Sequence, residues 1–248
     1  LGGALQASFE PYALDYGSPG WFVRARHHHL KRRIFEDGHE ISKIYTVRDE
    51  GFVGGQVTMA FQQSFQAGVG LTNAHSDDVS YSGGIVAFET HALGHDQRTL
   101  HIDLATGKEG YQRYELNLTR GIPISHSIFV TPGLRAGGVR GTATADALLG
   151  LGGPHSLSGL HADEWLGKRM WAGSIELSLE AARSARVYAA TQVGQVEDAV
   201  SGKDLGDRAH GAFGLGAEVE LPVGPLRAEW GIISHERNRF DIMLGHRF

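Results

Sequence analysis

The stretch "RFDIMLGHRF", residues 239–248, decides the fold. Phe240, Ile242, Leu244, His246 and Phe248 fall on one side of an extended chain; Asp241, Met243, Gly245 and Arg247 fall on the other. Successive side chains of a strand point to opposite faces, so this period of two marks a strand with one apolar face. The pattern recurs upstream. Residues 226–233 set Leu226, Ala228, Trp230 and Ile232 against Arg227, Glu229 and Gly231. Residues 213–221 set Phe213, Leu215, Ala217, Val219 and Leu221 against Gly214, Gly216, Glu218 and Glu220. Residues 171–181 set Trp171, Gly173, Ile175, Leu177 and Leu179 against Ala172, Ser174, Glu176, Ser178 and Glu180. The polar face is rich in Glu and Gly.

Weaker alternation predicts further strands at 3–14, 21–34, 41–47, 51–62, 65–74, 83–91, 99–106, 111–120, 128–137 and 186–194. Turn signals separate several of them, including Glu36-Asp37-Gly38, Asp77-Asp78 and Gly121-Ile122-Pro123. Helical spacing is not sustained, and no period of roughly 20–50 residues suggests a propeller or solenoid. An apolar face on so many consecutive strands needs a second sheet or surrounding lipid. The strand number, the charged polar face, and aromatics near strand ends (Trp21, Phe22, Trp171, Trp230, Phe248) favour lipid over a soluble sandwich or lipocalin-like barrel. The expected fold is all-β: a transmembrane antiparallel β-barrel of about 14–16 strands, with a long loop folded into its lumen. Residues 1–248 are expected to form a single outer-membrane domain.

Composition narrows the function. Charged residues make up 21% of the 248 and the formal net charge is -5, so there is no basic footprint for nucleic acid. The absence of cysteine excludes disulfides, thiolate metal sites and a thiol nucleophile. No run of about 18 apolar residues exists for a membrane helix. The mean hydropathy of -0.21 does not discriminate, because the alternating strands of a barrel average out near neutral. The chain starts at Leu1 without a charged and then apolar leader, so it is expected to be the C-terminal part of a longer protein or to have lost a signal peptide.

The second informative stretch is "LGGPHSLSGLHADEWLGKR", residues 151–169, which is too long for a turn between strands. Gly152-Gly153 is followed by Leu157-Ser158-Gly159-Leu160, and five predicted strands follow. This order resembles the Omp85 superfamily, in which a loop with a Gly-Gly pair and a Val-Arg-Gly-aromatic tip folds into the lumen ahead of the last five strands. Ser158 stands where the arginine would be. Leu151-Gly152-Gly153, Leu157-Ser158-Gly159, Glu164-Trp165-Leu166-Gly167 and the ending "VGPLRAEWG…FDIMLGHRF" resemble the branch fused to patatin-like phospholipases, the bacterial surface antigen type. Val139-Arg140-Gly141 spells the tip literally but precedes the Gly-Gly pair; the later placement is preferred. The terminal strand resembles the signal read by the barrel-assembly machinery, with Phe240, Ile242, Leu244 and Phe248 at the matching positions and His246 as a departure. The resemblance implies a bacterial outer-membrane location and contact with lipid and lipopolysaccharide. It also implies an attached phospholipase or POTRA-like domain, self-association as a homodimer, and no cofactor.

Catalytic chemistry is not encoded in any motif. A patatin-like lipase needs a Gly-x-Ser-x-Gly elbow, and the chain contains none. A barrel-borne hydrolase could use His75, Ser76, Asp77 and Asp78, or His91, His95 and Asp96, but these also read as solvated loops. A passive pore is a third reading. In the run Arg26 to Arg33, His27 and His29 share a face about 7 Å apart, enough for a metal only if a third ligand arrives from a neighbouring strand. No catalytic or metal-binding residue is assigned. The Glu176 and Glu218 rows are expected to meet Arg227 and other cations across the lumen.

Overall fold

A computed structural model describes residues 4–9, 19–60, 63–76, 80–92, 97–106, 111–141, 147–154, 156–182, 184–221, 224–234 and 237–244. The strands are β1 (Ala4–Phe9), β2 (Pro19–Glu36), β3 (His39–Ala60), β4 (Gln63–Ser76), β5 (Ser80–Ala92), β6 (Gln97–Thr106), β7 (Tyr111–Thr119), β8 (Ile122–Pro123) and β9 (Ile128–Gly141). They continue as β10 (Leu149–Leu151), β11 (Trp165–Gly167), β12 (Arg169–Ala182), β13 (Ala185–Glu197), β14 (His210–Leu221), β15 (Gly224–Ile233) and β16 (Arg237–Leu244). One 14-stranded sheet runs β1-β2-β3-β4-β5-β6-β7-β9-β12-β13-β14-β15-β16, with β8 on the side of β9. The main pairings are antiparallel; most join chain neighbours through short connections, while β9 pairs with β12 across the long loop. β10 and β11 form a separate ribbon within the long loop.

The five strands after the loop are β12 to β16, as the alternation predicts. Upstream, the predicted strands 41–47 and 51–62 are one strand, β3. Arg48-Asp49-Glu50-Gly51 has turn chemistry, yet the ladder runs through it on both sides: His28↔Arg48 and Ala25↔Gly51 toward β2, Arg48↔Ala74 and Gly51↔Leu71 toward β4. Asp49 and Glu50 are held there by His27 and Arg48 at 2.6 and 2.7 Å. Two flanking ladders outweigh a local turn preference. β9 likewise continues past 137, and Arg140 lies exposed at its end opposite Gln112, so Val139-Arg140-Gly141 is strand and not loop tip.

The sheet is inverted relative to a water-soluble one. Ile175, Phe240, Ile242 and Leu244 are 60–67% exposed, while Glu176, Gln192 and Glu229 on the opposite face are 8%, 2% and 3% exposed. Facing water, such an outer surface would expose a large contiguous apolar area that monomeric soluble proteins rarely carry. The apolar core lies on the polar side of the sheet and is built largely by the loop: Leu149, Leu151, Leu157, Leu160 and Trp165 pack with Tyr111, Met170, Val196 and Ile233.

The sheet curls around this loop, which touches β2, next to one end of the strand order, and β16 at the other end. Its Asp163 pairs with Arg32 of β2 at 3.1 Å, and its Glu164 pairs with Arg237 of β16. The β2–β3 hairpin contributes to the curl. The β3–β4 ladder stops at Thr46↔Ser76, so the hairpin projects past β4 and its tip bends over the loop.

Candidate functional site

The Gly-Gly pair starts the site. Gly152 and Gly153 have φ of 127° and 87°, a left-handed region that side-chain-bearing residues rarely adopt, and they reverse the chain out of β10. Ser156 N–H donates to Gly153 O at 3.1 Å, and Gly152 N–H donates to Ser156 Oγ at 3.2 Å, closing the turn. A bridge between Gly153 and Leu157 then aims Leu157-Ser158-Gly159-Leu160 at the polar face of β13–β15.

At that face Ser158 is almost fully buried. Its N–H donates to Gln192 Oε1 at 2.6 Å, and its Oγ donates to Glu229 Oε1 at 2.6 Å. Tyr188 OH donates to Glu229 Oε2 at 2.7 Å, so both carboxylate oxygens are satisfied. The short serine reaches Glu229 because the backbone of the tip lies directly on the sheet. A Cβ at Gly231 would collide with Ser158 and Gly159, and one at Gly214 would lie 2.6 Å from Ser158 Oγ. Gly159 has φ 93°, and a Cβ there would meet Ile233 N at 2.8 Å. Leu157 and Leu160 are fully buried on either side.

The outer side of the loop is clamped by polar contacts. Glu164 is fully buried, pairs with Arg237, and accepts from His161 N–H at 2.8 Å. Arg237 also reaches Asp204 at 3.1 Å. Ser201 Oγ donates to Glu164 O at 2.7 Å and accepts from Phe35 N–H at 2.7 Å, while Gly202 N–H donates to Phe35 O at 2.9 Å. Phe35 stacks on His161 with centroids 4.7 Å apart. The hairpin tip, the long loop and the 198–209 connection therefore meet in one cluster.

His161 gives this cluster a pH dependence. Burial, and then the adjacent Arg239 guanidinium, push its pKa below 6.5. Arg239 Nη1 donates to His161 Nε2 at 3.0 Å, which requires that nitrogen to be unprotonated. The unfolded state binds the proton more readily, so this contribution is present above the unfolded pKa and lost as pH falls below it. Acidification from pH 7.5 to 5 is expected to raise protease cleavage within residues 155–165, and His161→Asn is expected to abolish the difference. Equal cleavage of the wild type at the two pH values would contradict this.

The walls below carry ion pairs. Arg186 bridges Glu176 and Glu218, both at 3.1 Å, and Arg227 also pairs with Glu218. Arg113 and Arg135 both hold Glu115 at 2.7 Å. Glu218 does meet Arg227 and Arg186, but as register partners on the two adjacent strands and not across the lumen as expected. Sequence reasoning did not assign Gln192, Glu229, Tyr188, Glu164, Arg237, Phe35 or Ser201 to the site. The hints were strand parity, which places Glu229 with Gly231 on one face, and the Glu164-Trp165-Leu166-Gly167 step, which includes Glu164.

The remaining sequence candidates do not join this site. Phe240, Ile242 and Leu244 lie exposed on the outer face of β16, whereas Phe248 and His246 lie outside the described residues. His27 meets Asp49 at 2.6 Å and His29 at 3.0 Å, and among the described residues no group of three could hold a metal. His75 is exposed on β4; Ser76 and His91 fall in β4 and β5; Asp77, Asp78, His95 and Asp96 lie outside the described residues.

No protein-family profile and no curated protein sequence matches the chain. Solved structures do. BamA from Haemophilus ducreyi lacking POTRA domains 1-3 aligns over 97% of this chain with a TM-score of 0.68 at 11% identity. CdiB from Acinetobacter baumannii aligns over 98% with a TM-score of 0.55 at 16% identity. The chain shares the antiparallel all-β fold of these two structures. It spans 61% and 50% of the length of those two chains. The loop that the sequence singled out lies between β9 and β12 and rests on the polar side of the sheet.

Proposed function

We propose that this chain is an Omp85-type β-barrel of the bacterial outer membrane whose docked loop braces the lumen, and that it anchors, and translocates or displays, an attached patatin-like phospholipase domain. The observation that carries the reading is the inverted sheet with a loop seated on its polar face just ahead of the last five strands. Lipid is the surrounding that such an outer face fits, and every internal carboxylate discussed above has a cationic or hydroxyl partner. The outer face of β16, with Phe240, Ile242 and Leu244, is the surface offered to the barrel-assembly machinery and then to lipid and lipopolysaccharide. The attached domain is supported by the sequence resemblance alone, through Leu151-Gly152-Gly153, Leu157-Ser158-Gly159 and the closing hairpin. A patatin elbow or POTRA-like repeats encoded upstream of Leu1 would support it, and their absence would overturn it.

Membrane insertion has a test of its own. Ile175 is 60% exposed at the middle of β12. Ile175→Arg is expected to cost about 2–4 kcal/mol of folding stability in phospholipid vesicles, as a cation at the bilayer midplane does. The same change on a water-facing sheet would stay within about 0.5 kcal/mol. A neutral result in a urea titration would overturn the lipid-facing assignment. The chain alone is expected to be silent in a lipase assay; activity that disappears in His75→Ala would favour a barrel-borne hydrolase instead.

A further inference from the structure

Away from the loop, two histidines converge on the outer face of β2. His27 and His29 share the side of the strand that carries the exposed Trp21 and Val23. Their Nε2 atoms lie 3.0 Å apart, and the two rings are inclined by 77°. On its other side, His27 Nδ1 lies 2.6 Å from Asp49 Oδ1 of β3, the register partner of His27. A carboxylate only accepts, so a neutral His27 carries its proton on Nδ1 and its lone pair on Nε2; the proton between the rings belongs to His29. A carboxylate behind one ring nitrogen, with a lone pair held ready on the other, is how proteins orient a metal-ligating histidine.

The pair stands where the apolar outer band ends. Across β2 to β5, one register row of the outer face reads Ala25, Gly51, Leu71 and Gly84. The next row reads His27, Asp49, Asn73 and Ser82, polar on all four strands. The His27 and Asp49 side chains are 44% and 59% exposed, so water reaches the pair and can fill coordination positions that the protein leaves open.

The spacing selects the ion. Metal–imidazole bonds of about 2.0–2.1 Å put two ligands about 2.8–3.0 Å apart at a right angle, and about 3.3 Å apart in a tetrahedron. The observed 3.0 Å fits the right angle, the geometry of tetragonal Cu²⁺ or Ni²⁺. A structural zinc site needs four protein ligands and a catalytic one three, and the described residues hold no group of three here. Cu²⁺ binds imidazole most strongly among the divalent ions of its row, so it depends least on further protein ligands. We propose that His27 and His29 chelate one Cu²⁺ ion through their Nε2 atoms, with water in its remaining positions and Asp49 as a positioning residue. The ion takes the place of the shared proton, which moves to His29 Nδ1, so both rings stay neutral. The inference is independent of the loop and of any attached domain.

The test uses the full chain, folded in detergent micelles and given up to one Cu²⁺ per chain. Electron spin-echo modulation detects the remote ring nitrogens of bound imidazoles and should report two of them. His27→Ala and His29→Ala should each abolish the two-imidazole signal and weaken binding by about tenfold or more. Both residues face outward, so neither change removes a core contact. Asp49→Ala should weaken binding by about tenfold, as loss of an orienting partner does, and Asp49→Asn, which keeps an acceptor, should recover part of it. His75→Ala should change nothing, because His75 is two strands from His29, with Val47 between them. Equimolar Zn²⁺ should not displace the copper. Absence of a two-imidazole signal in the wild type would overturn the proposal. So would a signal equal in the wild type and His29→Ala, or displacement by equimolar Zn²⁺. Asp49→Ala binding as tightly as the wild type would overturn the positioning role.

Discussion

Gly231→Val is expected to expel the loop tip from the sheet while leaving the strands paired. The added side chain would occupy the space of the Ser158 and Gly159 backbone, and neither side can retreat, because both are main chain packed on main chain. Overpacking of this kind costs about 1–3 kcal/mol. Displacing Ser158 then takes the loop's donors from Glu229 Oε1 and Gln192 Oε1, at about 1–3 kcal/mol for each group left buried and unsatisfied, while Tyr188 stays on Glu229 Oε2. The docked state would lose most of its advantage over an undocked one. Hydrogen exchange at residues 156–160 should rise sharply, and conductance in planar bilayers should approach that of a deletion of residues 150–165. Gly173→Ala is the control: a Cβ there meets only Val193 Cγ1 at 3.8 Å, and no change is expected. A Gly231→Val protein with wild-type exchange and conductance would show that the tip is not held by this contact.

Glu164→Ala should produce the largest single loss of stability. The Glu164 carboxylate is fully buried and holds both Arg237 and His161 N–H. Removing one member of a buried ion pair costs about 3–5 kcal/mol because the other charge is left uncompensated. The lower end applies here, since Arg237 is partly exposed and keeps Asp204 at 3.1 Å. The loss should be read by urea unfolding in micelles. Adding Arg237→Ala should recover part of it, because the stranded cation is then gone, and that recovery measures the coupling between the two residues. Strictly additive losses would mean that the pair contributes nothing beyond its separate members.

The strands after the loop were legible because their signal is local. In 213–221 each apolar residue is two positions from the next, and no tertiary contact is needed to read that period. The same locality caused the error at 48–51. Arg48-Asp49-Glu50-Gly51 carries turn chemistry, and nothing local shows that β2 and β4 both pair through it. The loop was legible through Gly152-Gly153, a pair whose backbone needs are local too. Its internal ribbon, β10 with β11, was not, because Gly150↔Leu166 joins residues whose intervening sequence has no hairpin signature. The partners of the tip were out of reach. Ser158 and Glu229 are 71 residues apart, and Phe35 and Ser201 are 166 apart.

By itself, the sequence determined that the chain is a run of strands with one apolar face, interrupted once by a glycine-paired loop. Alternation and backbone permissiveness are properties of neighbouring residues, so they are written in order along the chain. The sequence also pointed to the apolar face as the outer one; the tertiary structure alone decided what the loop touches. The outward placement of Ile175 and Leu244, the burial of Glu176 and Glu229, and the meeting of Ser158, Gln192 and Glu229 all follow from the curl of the sheet. That curl is a sum of small twists over many strand pairs, closed by contacts between residues far apart in the chain.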